Sequence, residues 1–290
     1  MGHHHSTPGS DTPAALHRSS IALVGNPNVG KSVLFGHLTG SYVNVSNYPG
    51  TTVEITRGTY RNGSGAGSGD AGATGDCTLI DTPGINNLIP SSEDELVTRN
   101  ILLTEHPGHV LQIIDTKNLR RGLLITLQLA EMQIPFSMCL NMMDEAEARG
   151  ISVDITRLSQ LIGVGVTGTV ATRRKGIPEI KQMLTSPRRS GLEVTYSQRI
   201  EAAVAQIEAA LDGERLDSYL SYRSLALMLL GGDESIYPYL QERISPGALD
   251  EITAAVRRAQ EHYSEPLHNV ITRIRLNKAQ SLLEEVLSTD

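Results

Sequence analysis

Ile21-Ala22-Leu23-Val24 is a short apolar run that ends directly in Gly25-Asn26-Pro27-Asn28-Val29-Gly30-Lys31-Ser32. Leu34, Phe35 and Leu38 then follow at helical spacing. A strand that turns through glycines into a helix beginning at Lys-Ser restricts the fold severely. Such a strand lies in a sheet covered on both faces, and the glycine turn sits at its carboxyl end, where ligands bind. The pattern then repeats. Strands are predicted at Val53–Tyr60, Cys77–Ile80, His109–Ile114, Pro135–Leu140 and Val164–Thr167. Helices are predicted near Asp94–Glu105, Asn118–Met132, Asp154–Leu161 and Ile177–Leu184. Alternating strands and helices imply parallel pairing with right-handed crossovers. Ser41 to Thr52 reads as an irregular loop turning at Asn47-Tyr48-Pro49-Gly50, and Asn62 to Asp76, all Gly, Ser, Ala, Asn, Thr and Asp, as a floppy hairpin tip.

Ser186-Pro187-Arg188-Arg189-Ser190-Gly191 breaks the alternation. Strands are not expected beyond it. Ile200, Val204, Ile207 and Leu211 share one helical face, and Leu249, Ile252, Val256, Ala259 and Tyr263 share another. Further helices are expected from Leu216 to Leu230, around Ser235 to Arg243, and from Pro266 to Leu287. The division expected is an appended His-containing tag with a disordered amino terminus (1–18), a nucleotide-binding domain (19–188) and a small all-α domain (189–290). The chain's 290 residues suffice for two such domains.

Composition narrows the function. The chain has no Trp and two Phe, so its core is aliphatic. Cys77 and Cys139 both fall in strand-like runs and read as free thiols of a reducing cytosol, not as a disulfide or zinc site. No apolar run reaches the ~20 residues that a membrane span needs. Residues 1–190 carry sixteen basic and sixteen acidic side chains, so the net charge of −7 arises in the last hundred residues. A nucleic-acid partner wants a basic face, which this tail does not offer.

Three segments carry the chemistry. In Gly25–Ser32, with Val33 completing the contact, backbone N–H groups would cradle phosphates while Lys31 reaches the β- and γ-phosphates and the Ser32 hydroxyl ligates Mg²⁺. In Asp81-Thr82-Pro83-Gly84, the Asp81 carboxylate would face Mg²⁺, through a water, and the Gly84 amide the γ-phosphate. Gly50-Thr51-Thr52 would bring one threonine over the metal. In Asn141-Met142-Met143-Asp144, Asp144 would accept two N–H bonds from guanine, and the Asn141 amide would bond the purine and the phosphate loop. Each segment alone is weak; the ordered trio specifies a guanine-nucleotide switch. Ile85 follows Gly84, where many such switches carry a water-orienting Gln, and no Arg or Lys lies between Thr39 and Glu54. Phosphoryl transfer rests on positioning and charge neutralisation, so another cation is needed, and an alkali ion is the economical one.

These motifs resemble the cytosolic GTPase module of the FeoB family of ferrous iron transporters. The resemblance rests on Gly25–Ser32, on Asn47-Tyr48-Pro49-Gly50-Thr51-Thr52-Val53-Glu54, on Asn118-Leu119 with Leu127-Gln128-Leu129, and above all on Leu140-Asn141-Met142-Met143-Asp144-Glu145-Ala146. Most GTPases carry Lys where Met142 stands. Arg223 to Asp233 is similar to part of the family's helical domain, which modulates nucleotide release. The likeness spans roughly residues 19 to 275. It implies an α/β P-loop GTPase fold with a mostly parallel central sheet, followed by a GDI-like helical domain. It also implies GTP and GDP as ligands, Mg²⁺, and a K⁺ site at Asn28, with Thr52 as the switch threonine. Asn28, Lys31, Thr52 and Gly84 are then the catalytic set. Val170-Ala171-Thr172 stands where members carry a Ser-Ala-Arg loop behind the base, and Thr82 where many carry Leu. The implied partner is a membrane-embedded transporter region outside this chain, at the cytoplasmic face of the inner membrane; oligomers are compatible and nucleic acid is not implied. The alternatives are an RNA-associated GTPase of the Era or tRNA-modification type, and a module that holds nucleotide without turnover.

Overall fold

The computed structural model describes residues 20–61 and 77–289. The expected tag and the hairpin tip 62–76 lie outside the described residues. In chain order the first half runs β1 (Ser20–Gly25), α1 (Lys31–Leu38), β2 (Thr39–Asn47), β3 (Glu54–Tyr60), β4 (Cys77–Asp81), α2 (Glu93–Asn100) continued by a π-helical turn (Ile101–Glu105), β5 (His109–Asp115), α3 (Leu119–Met132) and β6 (Phe136–Asn141). Then come α4 (Met143–Glu147), β7 (Ile151–Val153), α5 (Ile155–Ile162), β8 (Val166–Gly168) and α6 (Ile177–Leu184). The second half holds α7 (Gln198–Gly213), α8 (Tyr222–Leu230), α9 (Tyr237–Gln241), α10 (Pro246–Glu261), α11 (Leu267–Val286) and β9 (Leu287–Thr289).

Seven strands form one sheet in the order β2-β3-β4-β1-β5-β6-β8. β4, β1, β5, β6 and β8 are parallel, while β2 and β3 join antiparallel at one edge. The central strands are buried along almost their whole length, as β1 and β6 show. That is why their sequences run apolar without alternation. Strand order reverses between β4, β1 and β5, so the loops after β1 and β4 open into a common crevice.

Two expectations need correction. Ser41–Thr52 is not an irregular loop throughout: β2 reaches Asn47 and pairs with β3 from Val43↔Gly58 to Asn47↔Glu54. Val43 and Val45 give the alternation that favours a strand, and β3 supplies a ladder that the Gly and Asn residues do not by themselves suggest. Strands also do not cease after residue 191. β9 pairs antiparallel with β7, Ile151↔Thr289 to Val153↔Leu287.

The helical half shares its hydrophobic core with the sheet half. One hydrophobic cluster runs from Val110 and Met138 of the sheet through Leu123 and Leu127 of α3 to Val204, Leu225 and Ile271. Smaller clusters lie under α1 and α6 and under α2.

Candidate nucleotide site

The turn from β1 into α1 is set by backbone constraints. Gly30 has φ +90, and a Cβ there would lie 2.4 Å from Asn141 Nδ2. Both facts demand glycine. Asn28 also adopts the left-handed region, φ 63, a conformation Asn tolerates better than most residues. Its side chain is exposed. Lys31 folds inward, 8% exposed, and its Nζ donates to the carbonyls of Gly25 (3.2 Å) and Asn26 (3.0 Å). Burial pushes its pKa down, opposed by the nearby Asp81 and Asp94 charges. The loop therefore holds a buried ammonium over two of its own backbone carbonyls. Val33, in the first turn of α1, is 42% exposed.

Ser32 donates its hydroxyl to Asp81 Oδ2 at 2.8 Å. The other oxygen, Asp81 Oδ1, is buried without a hydrogen-bond partner. Burial raises the Asp81 pKa, against the Ser32 hydrogen bond and the Lys31 charge. A hydroxyl and an unsatisfied carboxylate oxygen side by side fit a hard divalent cation such as Mg²⁺. Among the described residues no group of three or more His, Cys, Asp or Glu side chains gathers for a metal.

The Asp81–Gly84 segment is sewn to the phosphate loop. The Ile85 amide donates to the Gly25 carbonyl at 3.1 Å, and the Asn26 side chain donates to the Ile85 carbonyl at 2.9 Å. A Cβ on Gly84 would come within 2.7 Å of the Pro27 backbone, so only glycine lets the two loops touch. Thr82 is buried and donates to the Leu23 carbonyl at 2.7 Å, which explains how a hydroxyl is accepted there.

Thr51 and Thr52 are engaged elsewhere. The Thr51 hydroxyl closes its own turn on the Tyr48 carbonyl (3.0 Å), beside Gly50 at φ +77, and the Thr52 hydroxyl donates to Glu93 at 3.1 Å. Neither hydroxyl hydrogen-bonds to Ser32 or Asp81.

Asn141 is the hub of the third motif. Its amide donates to the Val29 carbonyl (2.9 Å), and its oxygen accepts from the Thr169 hydroxyl and the Ala171 amide, both at 3.0 Å. One side chain thus ties the phosphate loop to the Val170–Thr172 segment. Val170 and Ala171 are buried and Thr172 is exposed. Met142 takes the left-handed conformation, φ 61, which turns the chain into α4 and presents Asp144. Asp144 Oδ1 accepts the Glu145 amide, and Oδ2 lies 3.7 Å from Arg173.

Some site residues are not marked by any motif. The buried Thr116 hydroxyl donates to the Asn141 carbonyl at 2.7 Å, and Lys117 packs its ammonium between Asp115, Glu145 and the Met142 sulfur. Glu95 accepts the amides of Asn86 and Asn87 (3.1 Å each) and of Ser91 (2.9 Å). Only Glu95 leaves a sequence signal: Ser92-x-x-Glu95 has the capping-box spacing, and Ser92 does cap α2.

Residues 19–184 match the family described as "Ferrous iron transport protein B", and residues 196–288 match "FeoB cytosolic helical domain". The chain belongs to the FeoB family. This sets aside the Era and tRNA-modification alternative. A relative is the Fe(2+) transport protein A/Fe(2+) transporter FeoB fusion protein of Porphyromonas gingivalis, 34% identical over 257 residues that make up 85% of this chain and 29% of the relative. The Fe(2+) transporter FeoB of Staphylococcus aureus strain MSSA476 is 30% identical over 273 residues, 93% of this chain and 39% of the relative. This chain therefore spans about a third of those relatives. Among solved structures, the cytosolic domain of L. pneumophila FeoB superposes with TM-score 0.79 at 27% identity, covering 93% of this chain and all of that one. A GDP-bound S. thermophilus NFeoB variant gives TM-score 0.78 at 29% identity, with coverage of 93% and 100%. The fold is thus the FeoB P-loop GTPase-type domain followed by its helical domain. No helix among the described residues is long and apolar enough to cross a membrane.

Proposed function

We propose that this chain binds GTP and GDP with Mg²⁺, hydrolyses GTP with help from K⁺, and acts as a switch regulating Fe(II) uptake. In the longer protein it would work at the cytoplasmic face of the inner membrane, beside a membrane-embedded transporter region. The observation that carries this is the joining of all three motifs through side chains: Ser32 to Asp81, Asn26 to Ile85, and Asn141 to both Val29 and Ala171. A GDP-bound family member with TM-score 0.78 supports guanine nucleotide as the ligand.

In this reading Gly25 to Val33 wrap the phosphates. Lys31 exchanges its two carbonyl partners for phosphate oxygens, and its burial makes the charge effective there. Ser32, Asp81 and Thr52 hold Mg²⁺, and Asn28 offers its side-chain oxygen to K⁺. The two cations supply the positive charge that the transferring phosphoryl group needs. Gly84 gives its amide to the γ-phosphate. Met142 and Val170–Thr172 line the base, which Asn141 and Asp144 read. Thr52 must leave Glu93 to reach Ser32 and Asp81, so closing the Tyr48–Val53 segment costs that contact. Because Asn44 and Ser46 turn their carbonyls to β3, an oxygen cage that draws on them also requires β2 to loosen from β3, whereas the Val45 and Asn47 carbonyls already face away from it.

The test is GTP turnover in KCl against NaCl, for native protein and Asn28→Ala. Native turnover should be slow in sodium and clearly faster in potassium. Asn28→Ala should lose the stimulation while retaining Mg²⁺-nucleotide binding. Equal rates of the native protein in both salts would reject the potassium role, and absence of turnover in either would leave only a nucleotide-binding module.

A further inference from the structure

The sheet has two edges, β2 and β8. β8 is three residues long, which blunts it. β2 has nine residues and neither charge nor proline to protect it: Thr39 to Tyr48 contains no Lys, Arg, Asp, Glu or Pro. Val43 and Val45 are 46% and 56% exposed, two of the four exposed large hydrophobic residues among those described. The Tyr48 amide donates to the Val53 carbonyl at 2.8 Å, in line with the Val43↔Gly58 to Asn47↔Glu54 register. Antiparallel ladders alternate, so Asn44 and Ser46 direct their backbone groups at β3. The N–H and C=O groups of Val43, Val45 and Asn47 point away from the sheet.

We propose that this edge pairs antiparallel with β2 of a second copy of the chain, about a twofold axis at Asn44. Val43-Asn44-Val45 reads the same in both directions. In this register Val43 faces Val45 of the other copy, and the reverse, and each pair exchanges two backbone hydrogen bonds. All four valines gather on one face, because residues directly opposite share a side of the sheet. Such a contact is isologous and closes as a dimer. The strand carries no charge, so a chain of net −7 meets its copy here without like-charge repulsion across the axis. The register shift between Thr39 and Val43 excludes the residues that Ser46 and Asn47 would face, so the contact is limited to residues 43–45, which makes the dimer weak and transient. It occupies the strand leading into the Tyr48–Val53 segment, yet does not depend on the nucleotide chemistry proposed above.

Register-specific crosslinking tests it. Opposed Asn44 residues form a non-hydrogen-bonded pair with Cα atoms about 4.5 Å apart, within reach of a disulfide. Opposed Ser46 residues would lie about 14 Å apart, out of reach. Under mild oxidation Asn44→Cys should give a covalent dimer, while Ser46→Cys should stay at the background that native Cys77 and Cys139 give in the unmodified chain. Sedimentation of the native protein should show a concentration-dependent dimer that is lost in Val43→Lys/Val45→Lys, with far-UV circular dichroism unchanged. Crosslinking of both cysteine variants alike, of Ser46→Cys alone, or of neither would overturn the pairing. So would a native chain that remains monomeric at the highest concentration reached.

Discussion

Asp144 divides its carboxylate between the Glu145 amide at Oδ1 and the Arg173 guanidinium, 3.7 Å from Oδ2. In the proposed site, guanine takes both oxygens, which distinguishes it from adenine. Removing the carboxylate with Asp144→Ala deletes two charge-assisted hydrogen bonds, so GTP affinity should fall by about 2–3 kcal/mol, roughly 30- to 150-fold. ATP should compete poorly with GTP in the native chain; equal competition in a titration would end the guanine assignment. Arg173 is 74% exposed, and surface pairs are worth about 0.2–1 kcal/mol. If Asp144 reads the base as proposed, Arg173 contends with the base for it, and Arg173→Ala should slow GDP release, by up to about fivefold in stopped flow. Faster release would mean that Arg173 braces the base instead. The two residues differ in how far sequence alone reveals them. Asp144 sits at fixed spacing from Asn141, because α4 must start there to aim it. Arg173 meets Asp144 only through the fold, from the turn that follows β8, and no local pattern marks it. Thr116 is hidden for the same reason: its role is a hydrogen bond to a backbone carbonyl of the neighbouring strand.

Among the elements, β2 is where local pattern and structure part. Its glycine and asparagines suggest a loop, and its partner on one side is β3, from which the ladder comes. The buried strands β1, β5 and β6 were legible because their apolar runs reflect cover on both faces. β7 and β9 were not, since three residues carry no usable period. The ladder has a measurable signature. In dilute nucleotide-free protein, amide exchange should alternate along the strand. Asn44, Ser46 and Tyr48, turned toward β3, should be slow, and Val43, Val45 and Asn47 fast. Mg²⁺ and a non-hydrolysable GTP analogue should change this pattern, because Thr52 must leave Glu93. Uniformly fast exchange from residue 43 to 48 would show that the segment is a loop after all.

At the scale of the molecule, two helices carry the nucleotide loop on one turn and the helical domain on the next. In α2, Glu95 holds the amides of Asn86, Asn87 and Ser91, and Arg99 reaches Asp233 at 3.4 Å beyond α8. In α3, Gln128 accepts the Leu88 amide at 3.1 Å, and Glu131 takes Arg275 of α11 at 2.7 Å together with the Tyr196 hydroxyl. Glu131 and Arg275 are 4% and 3% exposed on their side chains. A pair so dry gains little over apolar packing, because desolvation offsets its attraction, but breaking it strands a charge. Glu131→Ala leaves Arg275 buried without its carboxylate. It should cost about 3–5 kcal/mol and lower the thermal midpoint by on the order of 10 °C. Glu131→Leu combined with Arg275→Met removes both charges and keeps the volume, so its midpoint should recover most of the loss, short of the native chain only by the Tyr196 hydroxyl left without its acceptor. Scanning calorimetry of the single and double variants decides the matter. If the double variant unfolds as early as the single one, the contact holds the two halves together through its specific geometry, and the continuous apolar core between α3, α7, α8 and α11 is not sufficient to join them.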